Sequence, residues 1–364
     1  MNSTANNPVW LEWMTNLMAG ESDARSQSEA KQEEVSRHAY AETLPPDRFY
    51  CLLDELPVHL IPRRAVKQSR LGDKQEVLYL NPDCVLCRDG ELPKELASRR
   101  QELSRFALQG AVAWVRSRAT GNLLPFWLGP QSERVVRGLR PNEPVPSPVP
   151  REVRRWLAAA EILITRDQEG RARQYRRQRD ERISWAAAAF REKGYALLGD
   201  LIHPFHIAAL RRYYRHLIRT GAIALGDGQS PLRYVAYNEP VARFFHQDIA
   251  STLSAVAGEP IKPSYVYMAS YLSGAVLKKH TDRAQCEFSV TLCLDFSPEP
   301  ALETPWPIGL DTAEGSVTVY QALGDGLAYR GTRLPHYRNT LSEGQTSTSI
   351  FFHYVAEDFS GSLD

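Results

Sequence analysis

Between residues 286 and 296 apolar and polar side chains alternate. Phe288, Val290, Leu292 and Leu294 fall on one parity, and Ser289, Thr291, Cys293 and Asp295 on the other. A period of two predicts a β-strand. SVTVYQAL, LAYRG and STSIFFHYV repeat the pattern, the last turning apolar as a fully buried strand does. Gly324-Asp325-Gly326 signals a tight turn between them. Short strands separated by turns predict a sandwich or barrel rather than βαβ units. ARFFHQDIASTLSAV reads differently: Val241, Phe244, Phe245, Ile249, Leu253 and Val256 recur at helical steps, so this segment is an amphipathic helix.

The first half of the chain divides by composition. Residues 1–44 are rich in Ser, Asn, Glu and Ala without a core pattern and read as disordered, apart from a short helix in VWLEWMTNLMAG. Residues 45–133 read as a small α/β domain. In it FYCLLDELPVHLIPR and EVLYLNP are strand-like, LPKELASRRQELSRFALQGAVAWVRSR is a helix, and NLLPFWLGP closes or packs on the sheet. Residues 134–150 end in PNEPVPSPVP, which cannot form helix interior and reads as a stiff linker. From 151 onward, REVRRWLAAAEILIT and the arginine-dense GRARQYRRQRDERISWAAAAF read as helices leading into the strand-rich region.

The candidate chemistry lies among the strands. His280 and Asp282 are two residues apart in LKKHTDRAQCEFSVTLCLDF, and a lone His336 follows in LAYRGTRLPHYRN. In extended chain, residues two apart project to the same side, so His280 and Asp282 can grip one ion. Two imidazoles and a carboxylate form a facial ligand set for Fe(II) that leaves the opposite positions open. A second His-x-Asp, His246 and Asp248, falls on the helical segment, where residues two apart diverge by roughly 200°. Those two are read as ordinary helix residues. Cys84 and Cys87 form a C-x-x-C with no completing pair and are read as a plain turn; His203, which opens a helix with the run HPFH, is read as a cap. Trp306 sits in a Pro-rich loop, placed either to cover the site or to pack.

YLSGAVLKKHTDRAQCEFSVTLCLDF and GDGLAYRGTRLPHYRNTLSEGQTSTSIFFHYV resemble the two halves of the core of Fe(II)/2-oxoglutarate-dependent oxygenases, on the prolyl-hydroxylase and phytanoyl-CoA-hydroxylase-like branch. FREKGYALLGDLIHPFHIAALRRYYRHLI is similar to the segment that leads into that core, so the resemblance spans roughly residues 186–358. It implies an α+β protein whose C-terminal domain, residues 151–364, is a double-stranded β-helix (jelly roll) with packing helices. It also implies Fe(II) on His280, Asp282 and His336, with 2-oxoglutarate and dioxygen as cosubstrates. Asp282 bears on the outcome, because halogenating relatives lack this carboxylate; its presence implies hydroxylation of an unactivated C–H bond. The sequence departs from the pattern at one place. Many relatives carry a basic residue about ten positions after the second His, whereas Gly344 to Ser349 offers only neutral side chains. Arg338, on the same side as His336 if the stretch is extended, is the candidate anchor for 2-oxoglutarate, its fork suited to a carboxylate. Tyr271, Ser347 and Ser349 are candidate neutral donors, and Arg330 and Arg333 are the fallbacks.

Composition narrows the setting. With 364 residues, 43% hydrophobic, the chain has room for two cored domains. A net charge of +1 gives no general steering to nucleic acid or acidic membranes. No secretory h-region and no apolar run approaching about 18 residues is present, and five cysteines make an odd number. These features read as a cytoplasmic protein with reduced thiols. The substrate expected is an amino acid, a peptide or a carrier-bound group, with the N-terminal domain as a docking unit. The alternative from another class is a non-catalytic jelly-roll module that keeps the ligands and uses the fold for binding.

Overall fold

The computed structural model describes residues 45–63, 77–117, 121–146 and 149–363, so the stretch read as disordered lies outside the described residues. The chain divides into two compact units, residues 1–100 with 105–180, and residues 101–104 with 181–364.

In the first unit, β1 (Tyr79–Leu80) pairs with β5 (Leu163–Ile164), and β2 (Cys84–Arg88), β3 (Ala111–Arg116) and β4 (Leu123–Leu128) form an antiparallel sheet. The helices are α1 (Pro130–Val136) and α2 (Arg151–Ala159). The three-stranded sheet is antiparallel, and a 3₁₀ turn at Lys94–Arg99 rather than a crossover helix lies between β2 and β3. Two local readings are corrected. The long helix expected over LPKELASRRQELSRFALQGAVAWVRSR is a 3₁₀ turn at Lys94–Arg99 followed by β3. Gly110 at φ +73° breaks the run, and Val112, Trp114 and Val115 beyond it suit a pleated, buried strand. FYCLLDELPVHLIPR, expected as strand, forms 3₁₀ turns at Leu53–Glu55 and Val58–Leu60. Its apolar residues are buried all the same, and Phe49 meets Phe106 and Trp127 edge-on at 5.1 and 6.0 Å.

The Pro-rich stretch expected as a linker is tied down. The Leu80 amide donates to the Glu143 carbonyl (3.1 Å) and the Val145 amide to that of Leu78 (2.8 Å). Pro144, which has no N–H to give, sits between these bonds opposite Tyr79. The division between units falls later, inside α3 (Arg166–Lys193).

The second unit is built on two antiparallel sheets. The larger has the order β6 (Tyr195–Leu198), β13 (Gly326–Tyr329), β10 (Phe288–Ser297), β15 (Thr346–Ala356), β8 (Ile261–Tyr271), β7 (Arg233–Tyr237). The smaller is ordered β12 (Gly315–Val319), β11 (Ile308–Thr312), β14 (His336–Arg338), β9 (Leu277–His280). Ile308 and Leu310 of the smaller sheet pack against Leu327 and Tyr329 of the larger. Helices α4 (Pro204–Arg219) and α5 (Pro240–Ala257) lie against the larger sheet, α4 on β10 and α5 on β8 and β15. His203 caps α4, its Nδ1 accepting from the Phe205 amide at 3.1 Å.

Strand parity allocates the two faces of the larger sheet. Phe288 pairs with Tyr354 and Val290 with Phe352, and the Tyr354 hydroxyl donates to the His246 carbonyl of α5 (2.8 Å), so this parity faces the helices. Ser289 pairs with His353 and Thr291 with Phe351 on the opposite face. A bulge between Cys293 and Asp295 reverses the parity and sends Asp295 to the helical side. There Arg211, fully buried, donates from Nε to Asp295 Oδ1 (2.9 Å) and from Nη2 to Glu299 Oε2 (3.1 Å), and Arg215 grips both Asp295 oxygens at 2.6 and 2.8 Å. Burial opposes the ionised form of Asp295, but these guanidiniums outweigh it and hold the carboxyl below the usual range.

No helix among the described residues is long and apolar enough to cross a membrane.

Two outcomes follow from this packing. Asp295→Ala strands a buried guanidinium and lowers the unfolding free energy by about 3–5 kcal/mol in denaturant titrations; a loss below about 1 kcal/mol would refute the network's role. His246 is held by burial at a pKa of about 3, against 6.5 for a free imidazole. The unfolded chain therefore takes up this proton first as pH falls, so melting temperature drops between pH 6.5 and 4. His246→Phe should flatten that slope, and an unchanged slope would count against the assignment.

Candidate metal centre

β9 ends at His280, and β14 begins at His336 directly opposite it in the antiparallel register. The two rings lie 4.3 Å apart. Asp282 follows two residues after His280, fixed by its amide donating to the Gly331 carbonyl at 2.9 Å. Its Oδ1 is 3.6 Å from His280 Nε2 and 3.5 Å from His336 Nε2, and one ligand atom from each of the three residues lies within 4.8 Å of the others. His336 and Asp282 are largely buried, while the His280 side chain is 40% exposed.

The hydrogen bonds settle which nitrogen faces the centre. His280 Nδ1 is 2.8 Å from the Lys278 carbonyl, and His336 Nδ1 is 3.0 Å from the Leu334 carbonyl. A carbonyl only accepts, so each Nδ1 carries the proton and each Nε2 presents a lone pair inward. Burial works against the Asp282 charge, but hydrogen bonding and charge from the surrounding rings when they are protonated, His336 first, outweigh it and keep the carboxyl below its ordinary range; a cation held on the deprotonated Nε2 atoms would take over that role. Two neutral imidazole nitrogens and a carboxylate oxygen, converging and with their outer atoms already bonded, suit a divalent first-row cation.

Behind Asp282 stands a shell not evident in the sequence. Ser289 Oγ donates to Asp282 Oδ2 (3.1 Å) and lies 2.9 Å from His353 Nδ1. Asp282, Cys286 and His353 also bring ligand-type atoms together. Burial pushes the Cys286 thiol up to about 12, and Tyr265 Oη sits 2.9 Å from its sulfur. His353, with its Nδ1 engaged, is held at about 4 by burial. A protonated thiol and a committed imidazole make this group a support for Asp282 rather than a second metal site. His353 and Ser289 are polar residues on one parity of apolar strands, a visible signal, but their meeting depends on the β10–β15 register.

Gly331 permits the close approach of these groups. A Cβ there would overlap Asp282 Oδ2 and the Cys286 carbonyl and would come within 2.8 Å of Ser289 Oγ.

Arg338 is buried on the same side of β14 as His336, with Tyr337 partly exposed between them. Its Nη1 donates to the Trp306 carbonyl (2.5 Å), and its guanidinium lies 4.5 Å from the Trp306 ring centroid. No carboxylate pairs with it among the described residues, and burial draws its pKa below that of a free guanidinium. Tyr271 packs edge-on against Trp306 at 5.2 Å, and its hydroxyl accepts from Arg233 at 3.2 Å. Ser347 and Ser349 are buried on β15, Ser347 opposite Tyr271. Arg330 instead stacks on Phe190 and Phe288 (5.2 and 5.3 Å), and Arg333 is exposed. His246 lies in α5, its Nε2 2.8 Å from the His353 carbonyl, and belongs to neither cluster of ligand atoms. Cys84 and Cys87, expected in a turn, are buried thiols of β2.

No family model matches the chain, and no curated protein is similar to it at a significant level. Among solved structures, the chain is similar to the non-heme alpha ketoglutarate dependent epimerase SnoN from nogalamycin biosynthesis, at 14% identity and a TM-score of 0.41, over 48% of this chain and 83% of that one. A Pseudomonas putida prolyl-4-hydroxylase is similar at 15% identity and TM-score 0.39, over 47% and 98% of the two chains. HygX from Streptomyces hygroscopicus, solved with nickel, 2-oxoglutarate and hygromycin B, is similar at 12% and 0.39, over 48% and 88%. Likeness at these values carries no functional conclusion by itself.

Gly331→Ala should push Asp282 aside and weaken divalent-metal binding about 10–100-fold in calorimetric titrations, with the fold checked by thermal melting. Unchanged affinity would show that Asp282 is not held by this approach.

Proposed function

We propose that this chain is an Fe(II)/2-oxoglutarate-dependent oxygenase whose two sheets form a double-stranded β-helix, and that it hydroxylates an unactivated C–H bond of an amino-acid, peptide or carrier-bound substrate. The convergence of His280 Nε2, Asp282 Oδ1 and His336 Nε2, each imidazole locked through Nδ1, carries the reading. When bound, Fe(II) with 2-oxoglutarate and dioxygen supplies a C–H oxidation in which one oxygen atom enters the substrate and the other leaves in succinate, with carbon dioxide released.

The chain's own residues then have distinct tasks. His280, Asp282 and His336 would hold the metal on one side and leave its other positions free. Arg338 would take the distal carboxylate of 2-oxoglutarate. A buried guanidinium with no acidic partner is costly, and a bidentate anionic ligand offsets that cost. Trp306 and Tyr271 wall the anchor, Ser347 and Ser349 are the neutral groups near Tyr271 on the same sheet, and the buried aromatic surround keeps water away from the charge pair. Asp282 fills a position that chloride would otherwise take, which supports hydroxylation. The first unit, with a sheet and apolar core of its own, is the candidate docking module for a larger substrate.

Anaerobic addition of Fe(II) and 2-oxoglutarate to the full chain should produce a weak visible charge-transfer band that His280→Ala abolishes. Arg338→Gln should retain metal but weaken 2-oxoglutarate binding by roughly tenfold or more, as loss of a buried charge-assisted fork requires. A wild-type protein without the band would leave the non-catalytic module as the better reading, and unaltered 2-oxoglutarate affinity in Arg338→Gln would remove the anchor role.

A further inference from the structure

Tyr265, Tyr267 and Tyr271 project from one face of β8, the face that His353 and Ser289 share across the sheet. Tyr271 marks one end, beside Trp306, on which Arg338 stacks. Tyr265 marks the other, its ring 4.6 Å from His353 and so next to the shell that holds Asp282. Six residues of strand separate the two ends, about 20 Å. At the Tyr265 end Tyr237 of β7 stacks on Tyr265 at 5.0 Å and 24°, and Tyr237 is 48% exposed.

Arg283, the residue after Asp282, reaches over this pair. Its Nη2 donates to the Tyr265 hydroxyl at 3.0 Å, its Cζ lies 5.3 Å from the Tyr265 ring centroid, and it also hydrogen-bonds Tyr237. The guanidinium is therefore held in place, although Arg283 itself is exposed. Among the described residues no carboxylate lies within ion-pairing distance of it. The contrast is Arg233 on the same β7–β8 surface, whose Nη2 meets Asp227 at 2.5 Å and Gln229 at 2.6 Å and whose charge is thereby answered within the fold. Two phenols fix the Arg283 fork without neutralising it, and its remaining N–H donors are available to a ligand.

We propose that Arg283, on the platform of Tyr237 and Tyr265, binds a carboxylate of the substrate beside the metal centre, with a flat or apolar part of that substrate lying on the exposed Tyr237 ring. The proposal rests on the oxygenase reading and narrows it: a substrate with a free carboxylate fits, and one whose carboxyl is tied up in a carrier thioester does not. A single fork matches the two oxygens of a carboxylate, whereas a phosphate would draw on more than one cation, and Arg233 of the same sheet lies at the Tyr271 end, committed to Asp227. The cosubstrate is a separate matter, since Arg338, on β14 of the smaller sheet, stacks on Trp306 at the Tyr271 end.

The test is calorimetric titration of the full chain, loaded anaerobically with Fe(II) and excess 2-oxoglutarate so that Arg338 is occupied. The probes are 3-phenylpropanoate, its uncharged amide 3-phenylpropanamide, and phenyl phosphate. Wild-type protein should bind the carboxylate roughly tenfold more tightly than the amide, the effect of one charge-assisted contact. Arg283→Gln should erase that preference while keeping the charge-transfer band and the melting temperature. A wild type without the preference, a variant that retains it, or tighter binding of phenyl phosphate than of 3-phenylpropanoate would each overturn the carboxylate assignment. A missing band in wild-type protein would instead overturn the oxygenase reading, and the carboxylate-over-amide ratio would still report on Arg283 separately.

Discussion

A carboxylate buried beside two imidazoles stays ionised only if its surroundings replace the water it has lost, and Asp282 is held in this way from both sides. Oδ1 faces His280 and His336, whose Nε2 atoms stabilise it when a proton or a cation lies between, and Oδ2 accepts from Ser289, which is itself tied to His353. The rest of the second unit is arranged to make this possible. The β10–β15 register brings Ser289 to His353, the β9–β14 register brings His280 to His336, and Gly331 leaves room for the carboxylate between them. The carbonyls of Lys278 and Leu334 orient the two ligand imidazoles. Each contact narrows the directions in which the three donor atoms can point, which is what a metal site needs before it can select geometry.

Buried charge is handled in two opposite ways in the same unit. On the helical side of the larger sheet, Arg211 and Arg215 close on Asp295 and Glu299 and answer one another inside the fold. On the other side, Arg338 is also buried and, among the described residues, meets a carbonyl and an indole face but no carboxylate. Structural ion pairs complete themselves; a guanidinium left incomplete in the interior points to an anion from outside. Arg283 extends the contrast to the surface, fixed by phenols and without a carboxylate among the described residues, while Arg233 at the Tyr271 end of the same sheet is matched by Asp227.

The first unit shows where local pattern fails as a guide. The segment LPKELASRRQELSRFALQGAVAWVRSR reads as helix, yet Gly110 at positive φ and the β-branched residues after it turn its end into a strand that pairs on both sides. The prolines before Arg151 suggest a spacer, yet the amides of Leu80 and Val145 bind that segment to its neighbour. In both places pairing with a partner strand satisfies backbone groups that the isolated segment would leave open, and tertiary context overrides propensity.

By itself the sequence determined the strand parity around Phe288 to Asp295, the helical nature of the His246 segment, the cap at His203 and the likeness of spacing that singled out His280, Asp282 and His336. These are short-range properties, carried by period and by side-chain chemistry a few residues apart. Only the tertiary structure decided that His336 lies opposite His280, that Ser289 and His353 stand behind Asp282, that Arg338 is buried with no acid beside it among the described residues while Arg330 stacks on phenylalanines, and that Arg283 rests on two tyrosines. Those facts depend on registers between strands as many as 64 residues apart in the chain, such as Ser289 with His353. Registers of that kind are set by turns, bulges and the packing of whole faces, none of which is written in any one segment.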